Sequence, residues 1–319
     1  MKSALIRTFI TSIIAFFLLA ACVKQRDHRS NLDYVDPHIG GMGHLLHPTR
    51  PNVQLPNQMI RMHPVRNDYL DDQISFFPLT MISHRKGELF GIMPYTGSMS
   101  EGQWGIRQTY DHDLEIVKPY YYSTYFIDSD IRTEFTPGNK TGYFRFIFPD
   151  QNTKILQLQV NHSGGWRVIS DSSASGEEVF SGMKAYIYCE FNQTGKASLD
   201  RQESYALYEF PVEESTIDFK YGISFISAEQ AKINLENEIP SWDFEALKKK
   251  GKEVWSDKLD QIQLKGGTEA QRRTFYTSLY RCYERMVNIN EDGKYYSAYD
   301  HAVHEDDRDF YVDDWVWDT

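Results

Sequence analysis

The feature that most constrains the fold is a long series of short strand-like segments between Asp33 and Ile226. Runs of β-branched and aromatic residues alternate there with turn signals, such as Pro-Gly-Asn at 137–139 and Gln-Thr-Gly at 193–195. Strands of this length bury apolar surface only when they pair into sheets and the sheets pack together. The series therefore predicts an antiparallel β-sandwich of about two hundred residues.

Three local patterns refine this prediction. The run "ILQLQV" at 155–160 alternates apolar residues with glutamine, which predicts a strand with one buried and one solvated face. Pro78 lies inside the apolar run 74–82, and a proline that cannot donate to a ladder indicates an edge strand or a bulge. The Gly164-Gly165 pair predicts a turn.

The hydrophobic period changes from two to about 3.6 after Pro240. Ser241 is a suitable N-cap for a helix whose apolar positions are Leu247, Val254, Trp255, Leu259 and Ile262. Gly266-Gly267 ends this linker helix. Thr268 and Gln271 then match a capping box, and a second helix follows to about Asn288, with apolar-side residues Phe275, Leu279, Cys282 and Met286. The predicted organisation is a sandwich at 33–238, a linker helix at 239–267 and the start of a helical domain at 268–319.

The N-terminus has the layout of an export signal. Lys2 and Arg7 precede an uncharged apolar run, which is too short for a comfortable membrane span. The run ends in Leu-Ala-Ala-Cys at 19–22, which resembles the lipobox of bacterial lipoproteins. We therefore expect a signal peptide at 1–21, lipid on Cys22, a polar tether at 22–32 and a location in the bacterial cell envelope, in the periplasm or on the outer membrane. The alternative is an ordinary cleaved signal followed by a chance cysteine.

Composition excludes one class of partner and leaves another open. The net charge of -11 argues against nucleic acid binding, which requires a basic face. Aromatic residues form 14 % of the chain, which suits both stacking on sugar rings and the core of a sandwich. Cys189 and Cys282 lie far apart in different kinds of segment, so we expect buried free thiols rather than a disulfide.

Two polar stretches invite a binding interpretation. An acidic run at 305–314, with His301 and His304 beside it, has the carboxylates that hard cations prefer. It lacks the spacing of a calcium loop or an H-E-x-x-H motif, so a solvated loop is favoured. The stretch "HIGGMGHLLHP" at 38–48 matches neither a Walker motif nor a dinucleotide fingerprint. Its glycines are better explained by a backbone that passes close to another surface.

Four motifs in order resemble one enzyme family. Residues 36–44, Asp-Pro-His-Ile-Gly-Gly-Met-Gly-His, are similar to the opening motif of glycoside hydrolase family 92, the calcium-dependent exo-acting α-mannosidases. Residues 275–280 resemble the first helix of that family's catalytic domain, and 292–295 resemble the turn that follows it. Residues 317–319 match its Trp-Asp-Thr motif. The four matches bracket nearly the whole mature chain.

The resemblance implies a fold and a chemistry. The family joins an N-terminal β-sandwich through helices to an (α/α)6 barrel, with the active site between them. It hydrolyses α-mannoside-containing glycans with inversion, using a carboxylic acid and a carboxylate base. The resemblance places these two groups and most calcium ligands downstream of Thr319, so we expect a truncated chain without catalytic residues. It assigns sugar contacts in this chain to Trp317 and Asp318, for which the alternatives are a core residue and a helix-terminal carboxylate. In the Gly-rich stretch, Gly43 and His44 are further candidates for a sugar contact, and the alternative for His44 is a structural, hydrogen-bonded histidine.

Departures from the family pattern leave other functions open. Residues 83–91 read "SHRKGELFG" where many members carry a longer loop, which puts the linkage and the sugar in doubt. One alternative is a non-catalytic carbohydrate-binding lipoprotein of a glycan-utilisation system. Another is a surface structural or adhesion module that binds no glycan.

Overall fold

The computed structural model describes residues 30–40, 50–67, 70–82, 87–98, 104–150 and 152–313. The strands that build the two main sheets are β4 (Phe77–Met81), β5 (Glu88–Thr96), β7 (Ile116–Lys118), β8 (Tyr121–Phe126), β9 (Ile131–Pro137), β10 (Thr141–Ile147), β11 (Lys154–Gln159), β12 (Ser163–Ser170), β13 (Ser173–Phe180), β14 (Met183–Phe191), β15 (Lys196–Leu199), β16 (Tyr205–Phe210) and β17 (Thr216–Ser224). Two-residue strands flank them: β1 (Val53–Gln54), β2 (Arg61–Met62), β3 (Gln73–Ile74) and β6 (Gln108–Thr109).

The main strands form two antiparallel sheets with a common apolar core. One sheet has the order β12-β13-β14-β17-β10-β9-β8-β7, and the other has the order β15-β16-β11-β5-β4. Their facing sides bury one large cluster that includes Phe77, Phe90, Phe144, Trp166 and Tyr221. Aromatic edge-to-face pairs such as Phe90 and Trp166, with ring centroids 5.6 Å apart, lie between the sheets. The predicted β-sandwich is confirmed.

The proline rule identified an edge strand correctly. Pro78 lies in β4, the last strand of the smaller sheet, where it pairs with Gly91 of β5. Only one side of an edge strand joins a ladder, so a missing N–H on the other side costs no ladder bond.

Two other local predictions are wrong. Both faces of β11 are buried, because Gln157 and Gln159 satisfy their amides inside the protein. The Gln157 Nε2 atom donates to Gln159 Oε1 at 3.1 Å, and the Gly105 N–H donates to Gln157 Oε1 at 3.1 Å. The glycine pair at 164–165 lies inside β12 rather than in a turn. Glycine is needed there because a Cβ on Gly164 would lie 2.0 Å from Glu177 O of the neighbouring strand β13.

Three helices follow the last sandwich strand: α1 (Ala228–Glu238), α2 (Phe244–Leu259) and α3 (Glu269–Cys282). Helix α1 was not predicted, although Ser227 caps it by accepting the Gln230 N–H. It packs on the outer face of β17 so closely that a Cβ on Gly222 would lie 2.2 Å from Ala231 O. Helix α2 begins two residues later than expected. Its N-cap is Asp243, which accepts the Ala246 N–H, and not Ser241.

Helix α3 has the predicted start but ends early. Thr268 and Gln271 form the capping box in both directions, so this prediction is confirmed. The helix stops at Cys282, and Met286 is half-exposed beyond it. Cys189 is a buried free thiol as predicted, but the expectation that Cys282 is buried is wrong. The apolar stripe of α3 passes through Tyr276, Thr277 and Tyr280, which turns Cys282 towards solvent.

Short antiparallel ladders complete the described chain. They comprise β18 (Val287–Asn288) paired with β21 (Tyr311–Val312), and β19 (Lys294–Ser297) paired with β20 (Ala302–Glu305). Tyr295 stacks on Phe310 with ring centroids 4.1 Å apart, which joins the two ladders. None of the helices in the described ranges is long and apolar enough to cross a membrane.

Candidate functional site

The residues on both sides of the Gly-rich stretch run along helix α3. We call this region, described residues 34–40 and 50–57 with helix α3, the junction. The Asp36 N–H donates to Thr277 Oγ1 at 3.0 Å, and the Tyr280 hydroxyl donates to Asn52 O. Thr277 and Tyr280 are both buried, so these bonds form out of water and fix the segment to the helix.

Residues of the junction also contact helix α2 and the chain just after α3. Trp255 is fully buried in α2, and its Nε1 donates to Gln54 O at 2.7 Å. The Asn57 N–H donates to Tyr283 O at 2.9 Å, one residue beyond α3. Backbone groups that no strand satisfies are thus paired with the helices, as buried polar groups require.

Arg281 on α3 lies at the centre of the junction. Its Nη1 donates to Arg50 O and to Glu284 Oε1, the latter at 2.5 Å. Its Nη2 donates to Pro37 O at 2.5 Å and lies 3.4 Å from Ile39 O. The pKa of the Glu284 carboxyl is raised by burial, and the charge of Arg281 opposes that rise.

A second carboxylate holds the start of the segment from the sandwich side. Glu115 accepts from Arg66 and from the Tyr122 hydroxyl, and its Oε2 lies 3.8 Å from His38 Nε2. Burial acts to raise the pKa of Glu115, but its His38 and Arg66 partners outweigh burial and lower it. Conversely, the nearby Glu115 carboxylate raises the pKa of the His38 imidazole.

The pKa of His63 departs strongly from the ordinary value of an imidazole. The side chain is buried, and burial together with the charges of Arg66, Arg50 and Arg281 lowers its pKa well below the ordinary value. The imidazole is therefore neutral at physiological pH. The nearby Arg50 pairs with Glu88, so the positive charges of the junction have partners.

Three carboxylates in and around the junction are held by arginines: Glu88, Glu115 and Glu284. At Glu115 this pairing favours the ionised carboxylate, whereas burial raises the pKa of Glu284 despite its arginine partner. What the junction can do chemically is fix backbone positions and set the local field.

The sequence analysis did not single out Arg281, Glu115 or His63. No motif contains them, and an arginine near a helix C-terminus is common for electrostatic reasons alone. The signal available in the sequence was the position of Pro37, Ile39 and Arg50 on the two sides of the Gly-rich stretch. The carbonyl oxygens of these three residues face Arg281.

The sugar contacts predicted from the sequence, Gly43, His44, Trp317 and Asp318, lie outside the described residues, and so does Cys22. Their flanks are described. On the N-terminal side of Gly43 and His44, the structure describes the chain as far as Gly40, in the junction. On the N-terminal side of Trp317 and Asp318, it describes the chain as far as Asp313, just after the ladders that follow α3.

The described part of the acidic run begins at Glu305, the last residue of β20, and continues through β21 to Asp313. Asp306 accepts both arms of the Arg308 guanidinium, which lowers its pKa, and His304 Nε2 lies 2.8 Å from Asp300 Oδ2. Within the described ranges, no group of three or more His, Cys, Asp or Glu residues could hold a metal ion.

These elements define a class of protein: a β-sandwich joined to a following helical segment by the residues on both sides of a Gly-rich stretch. The profile "Glycosyl hydrolase family 92 N-terminal domain" matches residues 34–224, and "Glycosyl hydrolase family 92 catalytic domain" matches 230–319. The chain belongs to glycosyl hydrolase family 92.

Solved structures of the same family share the fold. An inverting mannosidase from Bacteroides thetaiotaomicron superposes with a TM-score of 0.79 at 23 % identity, over 90 % of this chain and 44 % of that one. An α-mannosidase from the same organism gives 0.79 and 23 %, over 89 % of this chain and 45 % of its own. This chain therefore spans less than half the length of these neighbours.

A curated protein gives a shorter match. An uncharacterised secreted glycosidase from Arthroderma benhamiae is 39 % identical over 69 residues, which are 20 % of this chain and 9 % of that protein. The stretch is too short to carry an activity across.

Proposed function

We propose that this chain is the N-terminal part of a longer exo-acting α-mannosidase that hydrolyses α-mannoside-containing glycans with inversion. The supporting observation is the ordered match of both family domains to the sandwich and the helices, which meet at the junction on either side of the Gly-rich stretch. The names of the structural neighbours, an inverting mannosidase and an α-mannosidase, support the substrate.

In this proposal the chain supplies sugar contacts rather than the acid and base. Asp318 accepts hydrogen bonds from two vicinal hydroxyls, and Trp317 forms part of the wall of the subsite. Hydrogen bonds to a charged acceptor are about twice as strong as neutral ones. His44 and Gly43 contribute from the Gly-rich stretch. The acid and base belong to the part of the protein after Thr319, at the roughly 6.5–9.5 Å separation that inversion requires.

The proposal includes calcium and a membrane anchor. Calcium draws on the family resemblance, which places most of its ligands after Thr319; the described ranges gather no group of three or more His, Cys, Asp or Glu residues that could hold a metal ion. The anchor draws on the cysteine after the apolar run. Lipid on Cys22 gives an envelope-bound enzyme, because each buried methylene adds about 0.8 kcal/mol of membrane affinity.

The test uses the full-length protein, read from its gene to the stop codon. It is assayed for mannose release from α-1,2-, α-1,3- and α-1,6-mannobiose, with a β-mannobiose as the control substrate. The proposal predicts release from at least one α-linked disaccharide, loss of activity on chelation and recovery with added calcium. The proposal is contradicted if the protein hydrolyses only the β-linked control, or if it hydrolyses none of the disaccharides.

Asp318→Ala tests the proposed subsite in the same protein. We expect kcat/KM to fall at least about a hundredfold, or about 2.7 kcal/mol of transition-state binding, with thermal stability nearly unchanged. If the variant loses stability but its folded fraction keeps normal specific activity, Asp318 acts as a helix-terminal carboxylate and not as a sugar contact.

The second candidate is a non-catalytic carbohydrate-binding lipoprotein. The fold favours it only in that sandwiches commonly bind sugars. Binding of a mannobiose by the full-length protein, without release of mannose under any calcium condition, identifies this function.

A further inference from the structure

One guanidinium holds the chain on both sides of the Gly-rich stretch. Arg281 donates to Pro37 O before the stretch and to Arg50 O after it, and Ile39 O lies 3.4 Å from the same Nη2 atom. Three backbone carbonyls, which precede and follow residues 41–49, therefore converge on one side chain of helix α3. Such convergence fixes the separation of the two ends of the stretch and offsets the entropy of closing it.

The clamp belongs to a set of contacts on α3 and on the turn that follows it. Thr277 and Arg281 are four residues apart and lie on one face of the helix, and Glu284 lies in the turn after Cys282. Thr277 accepts the Asp36 N–H, and Glu284 neutralises Arg281 at 2.5 Å. The side chains of Arg281 and Glu284 are each only 15 % exposed, so the pair acts in a largely water-excluded position.

The geometry requires an arginine. Three carbonyls and a carboxylate are bound by two terminal nitrogens of a planar fork. A lysine keeps the charge opposite Glu284, but its single ammonium cannot reach carbonyls on both sides of the stretch in the same way.

We propose that Arg281 is a positioning residue for the glycosidase reaction: from helix α3, it fixes the chain on both sides of the Gly-rich stretch. This inference rests on the proposed function, in which Gly43 and His44 contact the sugar. Arg281 itself does not touch the substrate. Because small misplacements of substrate-contacting groups are costly, loosening the clamp lowers turnover and affinity for transition-state-like ligands.

The test compares Arg281→Lys with Arg273→Lys in the full-length protein. Arg273 is the matched control, since it lies on the same helix in an exposed ion pair with Glu269. We expect Arg281→Lys to lower kcat/KM about tenfold to a hundredfold. The affinity for mannoimidazole, the ligand in the structure of a similar enzyme, should fall in parallel. Arg273→Lys should leave both at the wild-type level.

A second readout separates this inference from the proposed function. Amide hydrogen exchange in peptides covering 36–40 and 50–53 should accelerate in Arg281→Lys and not in Arg273→Lys, whether or not the protein is active. Wild-type inactivity on every mannoside therefore refutes the function and leaves exchange to judge the clamp. Unchanged exchange overturns the clamp. Accelerated exchange in an active enzyme, with unchanged kcat/KM and mannoimidazole affinity, overturns the positioning role.

Discussion

The substitution Glu178→Gln probes how the sandwich holds an unusual strand conformation. Phe90 is fully buried in β5 with a left-handed φ of 51°, where a non-glycine residue is strained. Its N–H donates to Glu178 Oε2 at 2.6 Å. Glu178 Oε1 accepts the Asn161 N–H at 2.9 Å and lies 2.6 Å from His162 Nδ1. Three donors thus converge on one fully buried carboxylate.

The expected cost follows from these contacts. Glutamine keeps one acceptor oxygen, so its best orientation retains the two bonds of Oε1 and turns an NH2 group towards the Phe90 N–H. A buried donor without a partner costs about 1–3 kcal/mol, and each remaining bond loses its charge assistance, about 1 kcal/mol. Burial raises the pKa of Glu178, which means that removal of the charge recovers part of this loss. We expect a net destabilisation of about 2–3 kcal/mol.

Glu177→Gln is the matched control for this prediction. Glu177 is the preceding residue of β13 and points to the opposite, solvated face, where it pairs with Lys184 at 3.2 Å. An exposed pair contributes at most about 1 kcal/mol, so the control should be nearly neutral. The assay is the denaturant midpoint of this chain at pH 7. Equal midpoints for the two variants refute the view that Glu178 stabilises the strained strand.

Three further changes test the packing and the electrostatics of the described residues. Trp255→Phe removes the 2.7 Å bond to Gln54 O and should cost about 2 kcal/mol, whereas Trp242→Phe, at a side chain 39 % exposed, should cost under about 1 kcal/mol in the same denaturation assay. Gly222→Ala should cost about 1–3 kcal/mol, because its Cβ collides with Ala231 O of α1, and a normal melting temperature argues against that contact. His63 has a pKa lowered well below 6.5, so its contribution to stability is present above pH 6.5 and is lost as the pH falls through that lowered value. His63→Gln should therefore flatten the fall in melting temperature below pH 6.5, and an unchanged slope contradicts this.

The strand pattern was readable from sequence because it reports a local physical requirement. Alternation of apolar and polar residues and the position of Pro78 in β4 depend on which face is buried and which N–H is free. The capping box at Thr268 is equally local, since both of its bonds form within four residues. A few adjacent residues are enough to predict each of these features.

The failures come from contacts that are distant in sequence. The Gln157 amide is buried because Gly105 and Gln159 satisfy it, and no alternation rule reveals that. Helix α1 was missed although Ser227 and Gln230 carry a start signal, because its sequence follows a strand without a break. The Arg281 clamp depends on carbonyls more than two hundred residues away, and a carbonyl has no signature in a sequence.

We propose that the chain is part of an inverting α-mannosidase, and inversion can be observed directly. The most direct measurement is proton NMR of the full-length protein hydrolysing an α-mannobiose, recorded before the product mutarotates. An inverting enzyme converts an α-linked substrate into β-mannose, so the anomeric signal of β-mannose should appear first and that of α-mannose should grow in later. Initial release of α-mannose, or no release of mannose from any α-linked mannobiose in the presence of calcium, contradicts the proposed function.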